Sequence, residues 1–267
     1  MIICKSAAEL ELMRQAGRIA ARVLGELGPL VQPGIRTRDL DVYAEKRTRE
    51  LGAVPAFKGY RGYPASVCVS VNEEVIHGIP SGRILQEGDI VSLDFGVLYE
   101  GFYSDSALTV PAGRAGAEAL RLIAAARRSF WKGLEEVREG GRLSDVSAAI
   151  QGSVEGEGFS IIRQFVGHGI GRALHEEPQI PNFGPSGRGP RLRPGMTLAI
   201  EPMIAAGGWE VDVLDDGWTA VTKDRSLSAH YEHTVALTES GPEVLTARED
   251  DDGAVRSAPE KEESPHA

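Results

Sequence analysis

Cysteine is nearly absent: Cys4 and Cys68 are the two in 267 residues. That excludes a disulfide framework and a cysteine-built zinc ribbon. No window approaches the roughly 20 consecutive apolar residues of a membrane-spanning helix. The opening MIICKSAAELELM places acids where a secretory leader needs an apolar stretch, so a cytoplasmic protein is expected. There is no GxSxG elbow, no Walker A loop and no HExxH, since His175 is followed by Glu-Glu-Pro-Gln. Gly167-His-Gly-Ile-Gly-Arg lacks the third glycine of a dinucleotide loop. Positive charge is also short, with 29 basic against 39 acidic residues and a net charge of −10, which argues against DNA binding.

An apolar content of 42% is enough for one large core. Ser6 followed by Glu9 reads as a capping box opening a helix that Pro29 and Pro33-Gly34 end. A second helix is expected from Thr37 to Leu51, and another pair over 115–138 and 143–157. SVCVSV at 66–71 alternates like a strand, and residues 89–110 read as two strands around a turn near Tyr99 to Gly101. Further strands are expected at 160–166, 195–205, 218–223 and 230–238. A helix pair followed by strands thus occurs twice, which predicts an α+β domain of two pseudo-symmetric halves sharing a sheet. A site is expected where the halves meet. The tail, 248–267, holds seven acids and three bases, has no aromatics, and reads as disordered. The expected organisation is one catalytic domain over 1–247 and an acidic tail over 248–267.

Aspartate is disfavoured in strands, yet Asp94 lies in VSLDFG and Asp105 in FYSDSA. A turn centred between Tyr99 and Glu100 would set them directly opposite, with Cβ atoms about 5 Å apart. At an effective dielectric of ~20 the two charges would repel by about 3 kcal/mol. A shared proton, a base or a metal would offset this; otherwise the turn is displaced and both acids are solvated. Glu201 in GMTLAIEPMI and Glu232 in SAHYEHTVAL occupy similar apolar settings. In FVGHGIGRALHEEP, three alternating glycines around His168 disfavour a helix and suggest backbone brought close to something. Two aspartates, one histidine and two glutamates form an oxygen-rich set suited to divalent ions, and two bridged ions are expected.

These stretches resemble the type I methionine aminopeptidases of bacteria over roughly residues 2–245. SVCVSVNEEVIHGIP, GDIVSLDFGVLYEGFYSDSALTV, FVGHGIGRALHEEPQIP, GMTLAIEPMI and DGWTAVTKDRSLSAHYEHTVALTE stand in that family's order and spacing. The resemblance implies the pita-bread fold: pseudo-two-fold halves with a shared curved antiparallel sheet flanked by two helix pairs. It implies metal ligands at Asp94, Asp105, His168, Glu201 and Glu232, with Asp105 and Glu232 bridging two ions drawn from Co, Mn, Fe and Zn. It implies that His175 hydrogen-bonds the scissile carbonyl oxygen, that His77 lies near the scissile nitrogen, and that Glu201 also shuttles a proton.

Tyr60, Tyr63, Cys68, Leu174 and Trp218 match the family's methionine pocket. Leu174 stands where many members carry an aromatic, and Phe57 and Ile76 stand where cysteine is frequent. His230 and His233 receive no role from the resemblance and read as supporting or structural. The implied activity is removal of the first methionine from nascent chains whose second residue is small, by a monomer. The basic loop at 182–195, with Lys223 and Arg225, reads either as a transient ribosome contact or as an ordinary solvated loop. Two alternatives stay open. One is a proline-directed relative such as prolidase, which usually carries an additional N-terminal domain. The other is a binding module of the same fold.

Overall fold

The computed structural model describes residues 1–251; the tail expectation for 252–267 lies outside the described residues. Four helices form as the apolar spacing predicts: α1 (Ala7–Leu27), α2 (Thr37–Glu50), α3 (Ala117–Leu134) and α4 (Leu143–Gly156). The capping box is present. Glu9 N–H donates to Ser6 Oγ, and Glu9 Oε2 accepts from Ser6 N–H at 2.8 Å. α1 buries Leu10, Met13, Val23, Leu24 and Leu27, an apolar stripe at helical spacing.

Among the described residues the main sheet has nine strands. Its central path runs Val54–Pro55, Ile90–Tyr99, Phe102–Pro111, Glu232–Thr238, Thr197–Ile200, Gly167–Gly169, Glu176–Ile180. Cys68–Val71 and Gly241–Val244 add to this path, and the central pairings are antiparallel. The halves join where Glu232 and His233 pair with Ala107 and Ser106. One core packs α1 and α2 against Leu93, Phe95 and Val97. The other packs α3 and α4 against Leu198, Ile200, Val235 and Leu237. This is the pita-bread arrangement: two helix pairs behind one shared sheet.

The hairpin register differs from the expectation. Tyr99 pairs with Phe102, and the loop is Glu100-Gly101, with φ of 48° and 80°. Two consecutive positive φ values make a type I′ turn, whose twist suits antiparallel strands. Asp94 therefore faces Ala107, and Asp105 faces Gly96. The two acids remain on one face of the sheet, diagonal rather than opposite.

Two long strand expectations are interrupted. Residues 195–205 split into Thr197–Ile200 and Met203–Ala205 around Glu201-Pro202, because proline has no N–H for a ladder. Residues 230–238 split at Tyr231. In both cases the chain passes from the main sheet to a three-stranded sheet of Ser228–His230, Met203–Ala205 and Ser160–Ile161. Glu201 and Glu232 thus sit where the chain changes sheets.

The body extends past residue 247. Arg248 and Asp251 are buried against the rear of the Glu232–Thr238 strand. Arg248 donates to Ser106 Oγ at 2.8 Å and to His233 Nε2 at 3.1 Å, while Tyr231 Oη donates to Asp251 Oδ1 at 2.5 Å. An arginine can only donate, so His233 Nε2 accepts and the ring is neutral, with Nδ1–H directed at Thr246. Asp251→Asn leaves the buried guanidinium with a weaker partner and should cost about 3 kcal/mol. Thermal denaturation should show a Tm lower by about 6–12 °C. Arg248→Met/Asp251→Asn should recover part of that loss, and a wild-type Tm for Asp251→Asn would contradict the role of the pair.

Candidate metal centre and substrate cleft

Five adjacent strands deliver the five expected ligands. Asp94, Asp105, Glu232, Glu201 and His168 follow one another across the sheet. The register explains why they share a face. Asp94 pairs with Ala107, Ala107 with Glu232, and His168 with Ala199. Extending the His233↔Ile200 ladder by one residue sets Glu232 opposite Glu201. Paired residues share a face, and residues two apart along a strand share it too. His233 falls on the opposite face.

The glycines around His168 are required by proximity. A Cβ on Gly167 would collide with the Ala199 carbonyl oxygen, and one on Gly169 with that of Glu177. Bare backbone lets the Gly167–Gly169 strand slot between its neighbours and present His168 to the acids.

The four carboxylates are 2–7% exposed. Asp94 Oδ1, Asp105 Oδ1 and Glu232 Oε1 have no hydrogen-bond partner among the described residues. The two glutamates also lie near imidazoles: Glu201 Oε1 is 3.5 Å from His168 Nε2, and Glu232 Oε2 is 4.0 Å from His230 Nε2. Burial, with mutual repulsion, pushes Asp94, Glu201 and Glu232 well above the ordinary carboxyl range, and burial pushes Asp105 to about 7. Burial also pushes His168 down to about 3, which leaves it a neutral ligand. Ligand atoms of Asp105, His168 and Glu232 lie within 4.8 Å of one another. Orphaned buried oxygens beside a neutral imidazole fit a divalent cation and little else.

The nest opens onto one cavity of about 170 Å³. Every expected pocket residue lines it: Tyr60, Tyr63, Cys68, Leu174 and Trp218, with Phe57 and Ile76. Trp218 meets Tyr63 edge-on at 5.1 Å, and Tyr63 Oη donates to Gly78 O at 2.9 Å. The two expected cleft histidines are there as well. His175 stacks on Tyr60, with ring centroids 5.3 Å apart and Tyr60 Oη 2.9 Å from His175 Nδ1. With the phenol donating, Nε2 carries the ring proton and is the donor left for the cleft. His77 holds a left-handed φ of 61° with its ring edge-on to Phe165 and Trp218.

Three lining residues escaped the sequence reading: Arg61, Phe165 and Val166. Arg61 sits between two pocket tyrosines in YRGY, and the other two immediately precede Gly167-His168, so adjacency was the available signal. His233 is structural, bonded to Thr246 and Arg248. His230 is on the site face, with Nε2 3.9 Å from Glu201 Oε2.

Fold and nest together define a metal-dependent peptidase. Residues 11–239 match the description "Metallopeptidase family M24", and the chain belongs to that family, whose members use divalent metal. Along nearly their whole length it is similar to bacterial methionine aminopeptidases. It is 52% identical to methionine aminopeptidase 1 of Bacillus subtilis (strain 168), over 92% of this chain and 99% of that one. The crystal structure of methionine aminopeptidase from Thermotoga maritima superposes with a TM-score of 0.91 at 48% identity, covering 92% and 99% of the two chains. Prolidase from Pyrococcus furiosus shares the fold, with a TM-score of 0.76 at 22% identity over 92% of this chain and 65% of that one.

The buried charge makes metal-free stability depend on pH. Above pH 7 the folded histidines are neutral and the unfolded ones, with pKa about 6.5, are about one-quarter protonated or less, so their contribution is small and opposite in sign to that of the carboxyls. Unfolded carboxyls ionise near pH 4, whereas the folded ones hold protons to higher pH. The folded chain then binds more protons, so its stability falls as pH rises. Metal-stripped protein should lose at least about 3 °C of Tm between pH 7 and 8. Saturating Mn²⁺ without oxygen should raise Tm at both values and flatten the slope. A pH-independent Tm in the stripped protein would contradict the charge assignment.

Proposed function

We propose that the protein removes the N-terminal methionine of nascent polypeptides whose second residue is small, as a cytoplasmic monomer. The observation that carries this reading is that the carboxylate nest and the apolar pocket residues line one and the same cavity. Asp94, Asp105, His168, Glu201 and Glu232 would hold the divalent metal, two ions drawn from Co, Mn, Fe and Zn. Bound ions supply Lewis acidity to the first peptide carbonyl and acidify a water beside it.

The chain's own residues do the rest. Tyr63, Cys68, Leu174 and Trp218 receive an unbranched side chain and exclude water from it. Tyr60 fixes the tautomer of His175, whose Nε2–H donates to the scissile oxygen as charge develops there. His77, neutral because burial holds it near 4, sits by the scissile nitrogen. Glu201 takes the proton of the attacking water and returns it to the leaving amine. The substrate's free α-amino group would dock at the metal centre, which restricts cleavage to the first bond.

Phe57, Leu174 and Ile76 line the apolar part of the cavity and would set its shape. The basic loop at 182–195 contacts ribosomal RNA through Arg188, Arg191 and Arg193, which are exposed. Charge reversal at these three should abolish sedimentation with ribosomes while leaving peptide cleavage intact; unchanged sedimentation would refute the contact.

Metal-stripped protein given Mn²⁺, Fe²⁺ or Co²⁺ without oxygen should release methionine from Met-Ala-Ser. It should leave Met-Leu-Ser and Ala-Pro-Ser uncut. His175→Ala should lower kcat by about 10²–10³ with little change in KM. Preference for Ala-Pro-Ser would move the protein to its proline-directed relatives. A folded, metal-loaded protein that cuts none of the three would favour a binding module.

A further inference from the structure

One imidazole on the site face is used by none of the steps above. His230 is 1% exposed, and neither Nδ1 nor Nε2 has a hydrogen-bond partner among the described residues. A neutral imidazole always carries one N–H, and a buried donor left unpaired costs about 1–3 kcal/mol. Such groups are rare and ask for an explanation.

The backbone under the ring is fixed. His230 N–H donates to Thr109 Oγ1 at 2.9 Å, and Thr109 Oγ1 donates to His230 O at 2.8 Å. Thr109 has then spent its proton, so Ser92 Oγ, 2.8 Å away, donates to it. The ring is thus aimed by three strands and is not a loosely placed side chain.

It is aimed at the carboxylates. Nε2 lies 3.9 Å from Glu201 Oε2 and 4.0 Å from Glu232 Oε2. The remaining oxygens face elsewhere. Glu201 Oε1 is 3.5 Å from His168 Nε2, and Glu232 Oε1 is buried without a partner. Each glutamate therefore turns one oxygen, Oε2, toward His230 and leaves the other, Oε1, free of it. That division is the geometry of an imidazole supporting two ligand carboxylates from behind, and it leaves His230 itself outside the ligand set.

We infer that His230 is a positioning residue for the metal centre: its Nε2–H bonds to Glu201 or Glu232 and sets the orientation in which they grip the ions. The inference rests on the metal-centre reading proposed above. Rotation of a carboxylate by about 1 Å closes the contact to hydrogen-bond length. Removing a group that orients a ligand typically weakens metal binding about 10–100-fold.

The test uses the full-length, metal-stripped protein and isothermal titration with Mn²⁺ without oxygen. His230→Leu keeps the volume and loses the donor; His230→Gln keeps a side-chain N–H. His230→Leu should bind Mn²⁺ about 10–100-fold more weakly, while His230→Gln stays within about threefold of wild type. The visible spectrum of the Co²⁺ form should change in His230→Leu and not in His230→Gln. If His230→Leu does not fold, wild-type protein with ¹⁵N-labelled histidine and Zn²⁺ decides the matter. An exchange-protected imidazole N–H absent from His230→Gln supports the bond, and its absence from wild type overturns it. Equal affinities in all three proteins overturn the inference while leaving the metal centre standing. So does His230→Gln binding as weakly as His230→Leu, since packing would then explain both. Failure of wild type to bind Mn²⁺ overturns both readings.

Discussion

Four carboxylates gathered on one buried face of a sheet are the constraint around which this protein is organised. Ionised together in a medium of low dielectric they would oppose folding, because each loses hydration and repels the others. The fold accepts that opposition at the seam between its two halves, where Phe102–Pro111 meets Glu232–Thr238. Flanking strands then need small or absent side chains so that His168 can approach. The chain switches sheets at Glu201-Pro202 and at Tyr231 so that two glutamates end up at the mouth of the seam. Helix pairs on the rear supply the apolar burial that holds this arrangement in place.

Much of this was legible in the sequence. Helical spacing located all four helices, and acids inside apolar β-branched runs marked the site, because both are local patterns. The hairpin register was not legible. Its turn is Glu100-Gly101, and glutamate is absent from the Asn-Gly and Asp-Gly pairs that announce a type I′ loop, so the centre was displaced by one residue. The consequence was confined to the pairing, since a shift of one in the turn centre moves the partner by two and keeps both aspartates on the same face. The role of His230 was also hidden. SAHYEH places two histidines three apart, and only the break at Tyr231 decides which ring joins the acids and which is locked behind. The burial of Arg248 and Asp251 was hidden for a related reason: a charged run reads as solvated unless its counter-charges are known, and these two find theirs beneath the sheet.

Cleft and nest are chemically opposite and yet continuous. The apolar wall of Phe57, Tyr63, Cys68, Ile76 and Trp218 excludes water, and that exclusion strengthens every charge at the adjoining acids. The burial that this wall provides lowers the pKa of both His77 and His175, so neither adds positive charge to the cleft. Specificity and electrostatics thus share one cause, the low dielectric of a small, largely apolar cleft. A larger or wetter pocket would weaken both at once.

The Glu232–Thr238 strand shows two answers to buried charge on its two faces. Toward the cleft, Glu232 faces other carboxylates and needs an external cation. Toward the rear, His233 stays neutral between Thr246 and Arg248, and Asp251 closes the charge internally. The internal answer is permanent, because both partners belong to the chain. The external one is exchangeable, because the cation does not. Ser106 links them: its hydroxyl donates to the Glu232 carbonyl at 2.7 Å and accepts from Arg248 at 2.8 Å. The rear pair therefore anchors the backbone that presents Glu232. A strand anchored from behind thus presents Glu232 to the candidate metal centre, so the placement of that carboxylate is set by the chain itself.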